Sequence, residues 1–279
     1  MHTRQAYLVP ADADEALRFA AEHSPSLFLA GGTSRTLRFA APRTTLIDLG
    51  ALSLAAIRAD DAHVAIGAMA PLARLLDSPR VRSLADGILA TAVRSTGHPA
   101  WRNHATLGGR LMDRDADDAL TAALVVQRCR ARWQAAPGAA VKDVRLDELD
   151  EDRPGLLLEV QITPERGWRF ALRALGLTAY DAPLAAVAAA IEIRDGRVHA
   201  SRCAAAGLGI PCRRASHAQS ALDGMTWPPT RFAAVQTAFR RDIRPIDDTR
   251  ATAAFRVHVA SVLLGRVLHD LATVAGGGA

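Results

Sequence analysis

The sequence predicts an α+β protein in two parts, and three observations carry that reading. Within about the first 50 residues, strand-like and helix-like segments alternate in the order β-α-β-(loop, helix)-β, which suggests a small α/β unit. Near Pro164–Gly167 the pattern changes, dividing the chain into residues 1–165 and 166–279. Beyond that boundary three strand-like segments follow one another and three helical segments come after them. Sheet first and helices after predicts helices on one face of a sheet.

In order, Ala6–Pro10 reads as a strand and "DADEALRFAAEH" as a short helix. Asp12 is placed to cap that helix, with Glu15 three residues on as its reciprocal partner. Ser26–Leu29 is a second strand, and "TTLIDLG" (44–50) a third. "AHVAIGAMA" (62–70) alternates as a strand does, and Pro71 suits the first turn of a helix over "PLARLLDS". Apolar residues at helical spacing (Val81, Leu84, Ile88, Leu89, Ala92, Val93) predict a helix over 81–95. A loop is expected over 96–110, then a helix over 115–127 whose acidic start suits its dipole. "RCRARWQ" and "LLLEVQI" (156–162) read as strands. In the second part, 168–175, 182–193 and 196–207 are the predicted strands, with a hairpin turn at Asp195-Gly196. Helices are predicted near 213–223, 229–241 and 248–272.

Composition narrows the function classes. Hydrophobic residues make up 49% of the 279, enough for a real core. No segment has the roughly 18 consecutive apolar residues of a membrane span, and the N-terminus lacks the order of a signal peptide. A cytoplasmic protein is therefore expected. The net charge of +5 raises nucleic acid as a partner, but Lys142 is the only lysine and the arginines are scattered, often beside acids. No basic run with interleaved aromatics occurs, so no nucleic-acid partner is expected. Cys129, Cys203 and Cys212 form no C-x-x-C pair, which argues against an iron–sulfur cluster or structural zinc in this chain. Reduced, mostly buried thiols are expected, and no metal ligands.

Two glycine pairs stand out: Gly31-Gly32, followed by Thr33, Ser34 and Arg35, and Gly108-Gly109, preceded by Thr106 and followed by Arg110. A diphosphate needs several N–H donors converging on one concavity; glycine clears the approach and permits positive φ, and hydroxyls add neutral donors. Either pair alone reads first as a turn. Two of them, each with its hydroxyl, raise the alternative of a two-sided clamp on one extended ligand. Neither is a G-x-x-x-x-G-K-[ST] loop or a G-x-G-x-x-G fingerprint. "GLGIPC" (207–212) supplies only G-x-G, and Pro211 opposes a helix after it. His98 and His104 read as loop histidines. The acidic runs at 113–118 and 147–152 read as a helix start and a solvated loop. No convincing nucleophile or general base appears, so no catalytic side chain is assigned; this fits a protein that presents a cofactor's chemistry.

"FLAGGTS", "TTLIDLG", "HVAIGAMAPLARLLDSP", "RNHATLGGRL" and "LLLEVQITP" occur in the order and at the spacing of one flavoprotein family. Later, "AYDAPLAAVAAAIEI", "AAAGLGIPCRR" and "PIDDTRATAAFRVHVASVLLGRVL" resemble its C-terminal domain. The chain thus resembles, over nearly its whole length, the FAD-binding (medium) subunit of molybdenum hydroxylases, the xanthine dehydrogenase and carbon monoxide dehydrogenase family. The resemblance implies an FAD-binding domain of the vanillyl-alcohol-oxidase (PCMH-like) type, in subdomains of about 1–55 and 56–165, followed by a sheet-plus-helices domain. It implies FAD contacts at Leu29, Ala30, Gly31, Gly32, Thr33, Ser34, Arg35 and Thr36 in the first loop. In the second it implies Thr106, Leu107, Gly108, Gly109 and Arg110, with Thr96, Asp118, Leu158 and Arg173 elsewhere. Arg173 falls where many members have a lysine close to the flavin. Implied partners are a molybdenum-cofactor large subunit, a [2Fe-2S] small subunit, and NAD+ or another electron acceptor.

The chain also departs from the family pattern. Arg110 replaces the usual Asn, "LMDRDADDAL" replaces a Ser-Pro segment, and the usual Asp aligns with Ala119, beside Asp117 and Asp118. Arg35 and Thr36 stand where apolar residues are common. Two outcomes stay open. Arg35 and Arg110 could pair with the diphosphate, or the chain could be a weakly or non-flavin-binding structural subunit of the same complex.

Overall fold

The computed structural model describes residues 6–33, 44–60, 62–113, 118–149, 154–178, 180–210 and 212–273. The chain forms two compact units. Among the described residues, no helix is long and apolar enough to cross a membrane.

The first unit comprises residues 1–78, 98–116 and 129–163. Strands β1 (Tyr7–Leu8), β2 (Ser26–Leu29) and β3 (Thr45–Asp48) make a parallel sheet in the order β1-β3-β2. Helix Ala13–Glu22 starts as expected. Asp12 Oδ1 accepts the Glu15 N–H at 2.8 Å, while the Glu15 carboxylate accepts from Ala11 N at 2.7 Å. The reciprocal cap reaches one residue further out than the expected box. Ala16 and Leu17 of this helix pack with Ile47, Leu49, Leu52 and Leu156 in one core cluster.

A second, antiparallel sheet is built from β4 (Ile57–Ala59), β5 (Val64–Gly67), β6 (Arg130–Gln134), β7 (Lys142–Arg145) and β8 (Leu156–Ile162), in the order β4-β5-β8-β6-β7. β4 and β7, which the sequence pattern does not announce, are its edges: one is three residues long and the other polar. The 96–110 stretch is not all loop. His98 Nδ1 accepts from Trp101 N at the start of helix Pro99–Arg102, and a further short helix spans Leu107–Leu111.

The second unit comprises residues 79–97, 117–128 and 164–279. Its antiparallel sheet contains β9 (Trp168–Leu175), β10 (Ala185–Arg194), β11 (Arg197–Ala206) and β12 (Arg213–Arg214), in the order β12-β11-β10-β9. The Asp195-Gly196 hairpin forms as expected, both residues having positive φ (49° and 69°). The expectation of helices on one face is corrected: both faces are covered. Val187, Ala189 and Ile191 pack against the C-terminal helices Ser216–Leu222, Ala233–Phe239 and Ala253–Thr273. Ala186, Ala188 and Ala190 pack against helices Ile88–Arg94 and Ala119–Val126. Alternate side chains of β10 point to opposite faces, so a strand of alanines lets helices come close on both.

The helix expected over 81–95 is broken. Ala85, Asp86 and Gly87 all take left-handed conformations (φ 49°, 55° and 73°). In exchange, the Asp86 carboxylate accepts the Phe170 N–H at 2.8 Å, covering part of the β9 edge. The last helix starts at Ala253 rather than near 248, because Asp248 closes a turn by accepting from Arg250 N and Ala251 N, and Thr252 caps the helix at Phe255 N.

Arg256 of that helix is fully buried. It donates to Leu184 O, Gly207 O and, at 2.6 Å, to Asp248 Oδ2. Burial by itself would raise the Asp248 pKa, but the N–H groups of Arg250 and Ala251 and the Arg256 and Arg250 side chains outweigh it. They hold the carboxyl below the usual carboxylate range.

Candidate functional site

In the first unit a cavity of about 580 Å³ opens where β2 runs into its glycine loop. Its size is that of a small-molecule site, roughly 300–1,000 Å³. Leu29, Ala30, Gly31, Gly32 and Thr33 line it from the first loop, and Thr106, Gly108 and Gly109 from the second. Both glycine pairs therefore face one space.

The glycines have more than one reason to be glycine. Gly32 has a left-handed backbone (φ 65°). The other three permit close packing of protein on protein. A Cβ on Gly31 would stand 1.8 Å from the His104 carbonyl oxygen, and one on Gly108 would stand 2.7 Å from Ala68 Cβ. A Cβ on Gly109 would lie 2.8 Å from Thr106 Oγ1 and 3.4 Å from Ala30 Cβ. The two loops thus touch each other directly.

Their backbone donors are used differently. In the second loop the N–H groups of Leu107, Gly108, Gly109 and Arg110 donate to Ala70 O, Ala68 O, Thr106 Oγ1 and Thr106 O at 3.0, 2.7, 3.1 and 3.0 Å. In the first loop, among the described residues, no protein acceptor takes the N–H groups of Gly31, Gly32 or Thr33. Cavity-lining residues whose N–H donors have no protein partner suit an anion. The first loop offers that cradle; the second offers shape and the Thr106 hydroxyl.

Leu107, Arg110 and Leu158 do not line the cavity. Leu107 is fully buried and Leu158 packs on the core beside helix Ala13–Glu22. Arg110 pairs with Asp113 at 3.3 Å, and its guanidinium carbon lies 5.2 Å from the Trp101 ring centre. Asp113 itself lines the cavity, and no arginine or lysine does among the described residues.

Thr96, Asp118 and Arg173 belong to the second unit. Thr96 donates to Ala92 O at 2.9 Å. Asp118 caps helix Ala119–Val126, accepting from Leu120 N and Thr121 N at 3.0 and 3.4 Å. Arg173 makes a two-pronged pair with Asp270, at 2.7 and 2.9 Å, which holds its pKa above the usual value. Ser34, Arg35 and Thr36 lie outside the described residues.

The sequence reading missed the other wall of the cavity. Leu17, Ala20 and Ala21 come from the first helix, Ala135, Ala136 and Pro137 from the β6–β7 connection, and Pro154 and Gly155 from the start of β8. Two Pro-Gly pairs, 137–138 and 154–155, were the available signal, since such pairs mark turns. Among the described residues no group of three His, Cys, Asp or Glu is placed to hold a metal. Cys129 and Cys203 are buried, and burial pushes the Cys203 thiol pKa upward.

Residues 2–155 match the family described as the FAD binding domain in molybdopterin dehydrogenase, and residues 171–271 the CO dehydrogenase flavoprotein C-terminal domain. The chain is 28% identical to the nicotine 6-hydroxylase medium subunit of Paenarthrobacter nicotinovorans, over 94% of this chain and 95% of that one. It is 26% identical to subunit alpha of the 6-hydroxypseudooxynicotine dehydrogenase complex of the same organism, over 94% and 92%. Among solved structures, a chain of the carbon monoxide dehydrogenase of Hydrogenophaga pseudoflava superposes with a TM-score of 0.86 at 26% identity, over 96% and 97% of the two chains. A chain of quinoline 2-oxidoreductase from Pseudomonas putida 86 shares the fold, with a TM-score of 0.85 at 23% identity over 99% of each.

Proposed function

The chain belongs to the FAD-binding medium subunits of molybdopterin hydroxylases, and on that premise we propose that FAD binds in the cavity of the first unit. It is an oxidoreductase subunit with the mixed α+β fold expected from its sequence. The observation that carries the proposal is the cradle of Gly31, Gly32 and Thr33: all three line the cavity, and their N–H groups have no protein acceptor among the described residues. These donors suit the diphosphate, and the Thr106 hydroxyl supplements them. Bound FAD would supply the uptake and release of electrons; the chain's residues hold, orient and shield it.

In this reading, electrons reach the chain from a separate [2Fe-2S] subunit fed by a molybdenum-cofactor subunit, and pass to NAD+ or another acceptor. The names of the relatives support it, being a medium subunit and a subunit of a dehydrogenase complex. So does the lack of any C-x-x-C pair in the sequence. A cytoplasmic complex is proposed with it.

One observation favours a second reading, a structural subunit that binds flavin weakly or not at all. The second loop's N–H groups are already used, and the charged side chain lining the cavity is an acid, Asp113. An absorption spectrum decides between the two. Purified protein, incubated with FAD and desalted, should keep the near-ultraviolet and blue bands of a bound flavin; their absence overturns the FAD proposal.

A further inference from the structure

We propose that Asp14 is a positioning residue: it holds the 134–138 strap as a wall of the cavity and so sets how long a bound dinucleotide stays. The inference rests on the FAD reading above and concerns residues that the family resemblance does not assign.

The strap is built from a turn. Ala139 N donates to Ala136 O at 3.1 Å, with Pro137 and Gly138 in the central positions and Gly138 at φ 70°. Those are the residues a type II turn demands, so its shape is set locally. Its placement is not. The strap follows β6 directly, and its Ala135, Ala136 and Pro137 face the cavity.

One carboxylate oxygen ties it down. Asp14 Oδ1 accepts from Gln134 Nε2 at 2.5 Å and from Gly138 N at 2.8 Å. These two donors stand at the two ends of the wall-forming residues. Asp14 lies in the first turn of helix Ala13–Glu22, and Leu17 and Ala21 of that helix also line the cavity. The spacing 14, 17, 21 puts all three on one helix face. The anchor and the wall it secures therefore belong to the same rim.

On the β8 side the strap is backed by a close fit. A Cβ on Gly155 would stand 2.4 Å from Gln134 O and 2.5 Å from Trp133 Nε1, and Trp133 Nε1 donates to Pro154 O at 3.1 Å. Gln134 is buried, and its Nε2 also donates to Ala136 O at 3.4 Å, a longer bond that stays within the strap and does not tie it to the helix. Loss of the Asp14 oxygen leaves the strap attached at its strand end and free at its tip.

The test compares wild-type protein with Asp14→Ala and Asp14→Asn. The first removes the acceptor. The second removes the charge at the helix start but keeps an acceptor oxygen, so it separates strap anchoring from the helix dipole. FAD release is followed by the recovery of flavin fluorescence on dilution, and strap opening by hydrogen exchange across 134–139 in the FAD-free protein. In Asp14→Ala both should quicken about tenfold, a factor that corresponds to about 1.4 kcal/mol. Asp14→Asn should stay within about twofold of wild type. Unchanged exchange in Asp14→Ala overturns the anchoring role. Faster exchange with an unchanged release rate overturns its control of residence. Wild-type protein that retains no FAD overturns the flavin reading itself, and is recognised before either variant is measured.

Discussion

Gly31 and His104 meet backbone to backbone: a Cβ on Gly31 would lie 1.8 Å from the His104 carbonyl oxygen. No rotamer can relieve such an overlap, because both partners are main chain. Gly31→Ala must push the two loops apart, and should cost about 2–3 kcal/mol of stability together with most of the FAD affinity. Gly32→Ala puts a Cβ on a left-handed residue (φ 65°), a strain that should cost about 1 kcal/mol. Denaturant unfolding and FAD titration of the two variants check the ranking. Equal losses would mean that the loop contact is not what Gly31 serves.

Thr106 caps helix Leu107–Leu111 by accepting from Gly109 N at 3.1 Å. Thr106→Val keeps the shape and removes the acceptor, so it should destabilise the protein by about 1 kcal/mol, while Thr106→Ser should be close to neutral. Thermal melts of the two variants read the difference. If the hydroxyl also donates to the ligand, Thr106→Val loses FAD affinity beyond its loss of stability.

Arg110 and Asp113 form an ion pair at 3.3 Å, with side chains only 13% and 3% exposed. Arg110→Leu leaves a carboxylate in the cavity wall without this partner. It should destabilise the protein by about 2–3 kcal/mol and weaken FAD binding. Adding Asp113→Asn should recover most of both losses. A double-mutant cycle measures the coupling; additive effects would show that Arg110 does not act through Asp113.

Asp248 has its pKa lowered in the folded state, against about 3.9 unfolded. The sign follows: its stabilising contribution is present above the unfolded value and is lost as pH falls through and below it. Asp248→Asn should therefore flatten the fall of melting temperature between about pH 5 and pH 2. Arg256→Met leaves Asp248 and two backbone carbonyls without their buried donor, and should cost about 3 kcal/mol near neutral pH. Melting temperatures across that range check both expectations.

Much of the fold is legible locally. β2, β8 and β9 occupy the residues their apolar runs predict, and the Asp12 cap and Asp195-Gly196 turn form where their residue types require. The break at 85–87 is not legible, because apolar spacing favours a continuous helix. What interrupts it is an acceptor that Phe170, more than 80 residues away in the chain, draws from Asp86. The covering of both faces of β10 is hidden for a similar reason: a run of alanines looks the same whether one face or two are packed.

Residue order alone carries the family, the α+β class, and the two glycine pairs with their hydroxyls. These follow from residue order and short-range pattern, which a linear chain displays openly. The role of each group is set by the folded arrangement. That arrangement assigned three of the four glycines to close packing, spent the second loop's donors inside the protein, and left those of Gly31, Gly32 and Thr33, which line the cavity, without a protein acceptor among the described residues. It turned Arg173 to Asp270 and tied the 134–138 strap to Asp14, 120 residues away. The physical reason is that a donor's fate depends on which acceptor lies within about 3 Å. That acceptor comes from wherever the fold brings another segment of the chain.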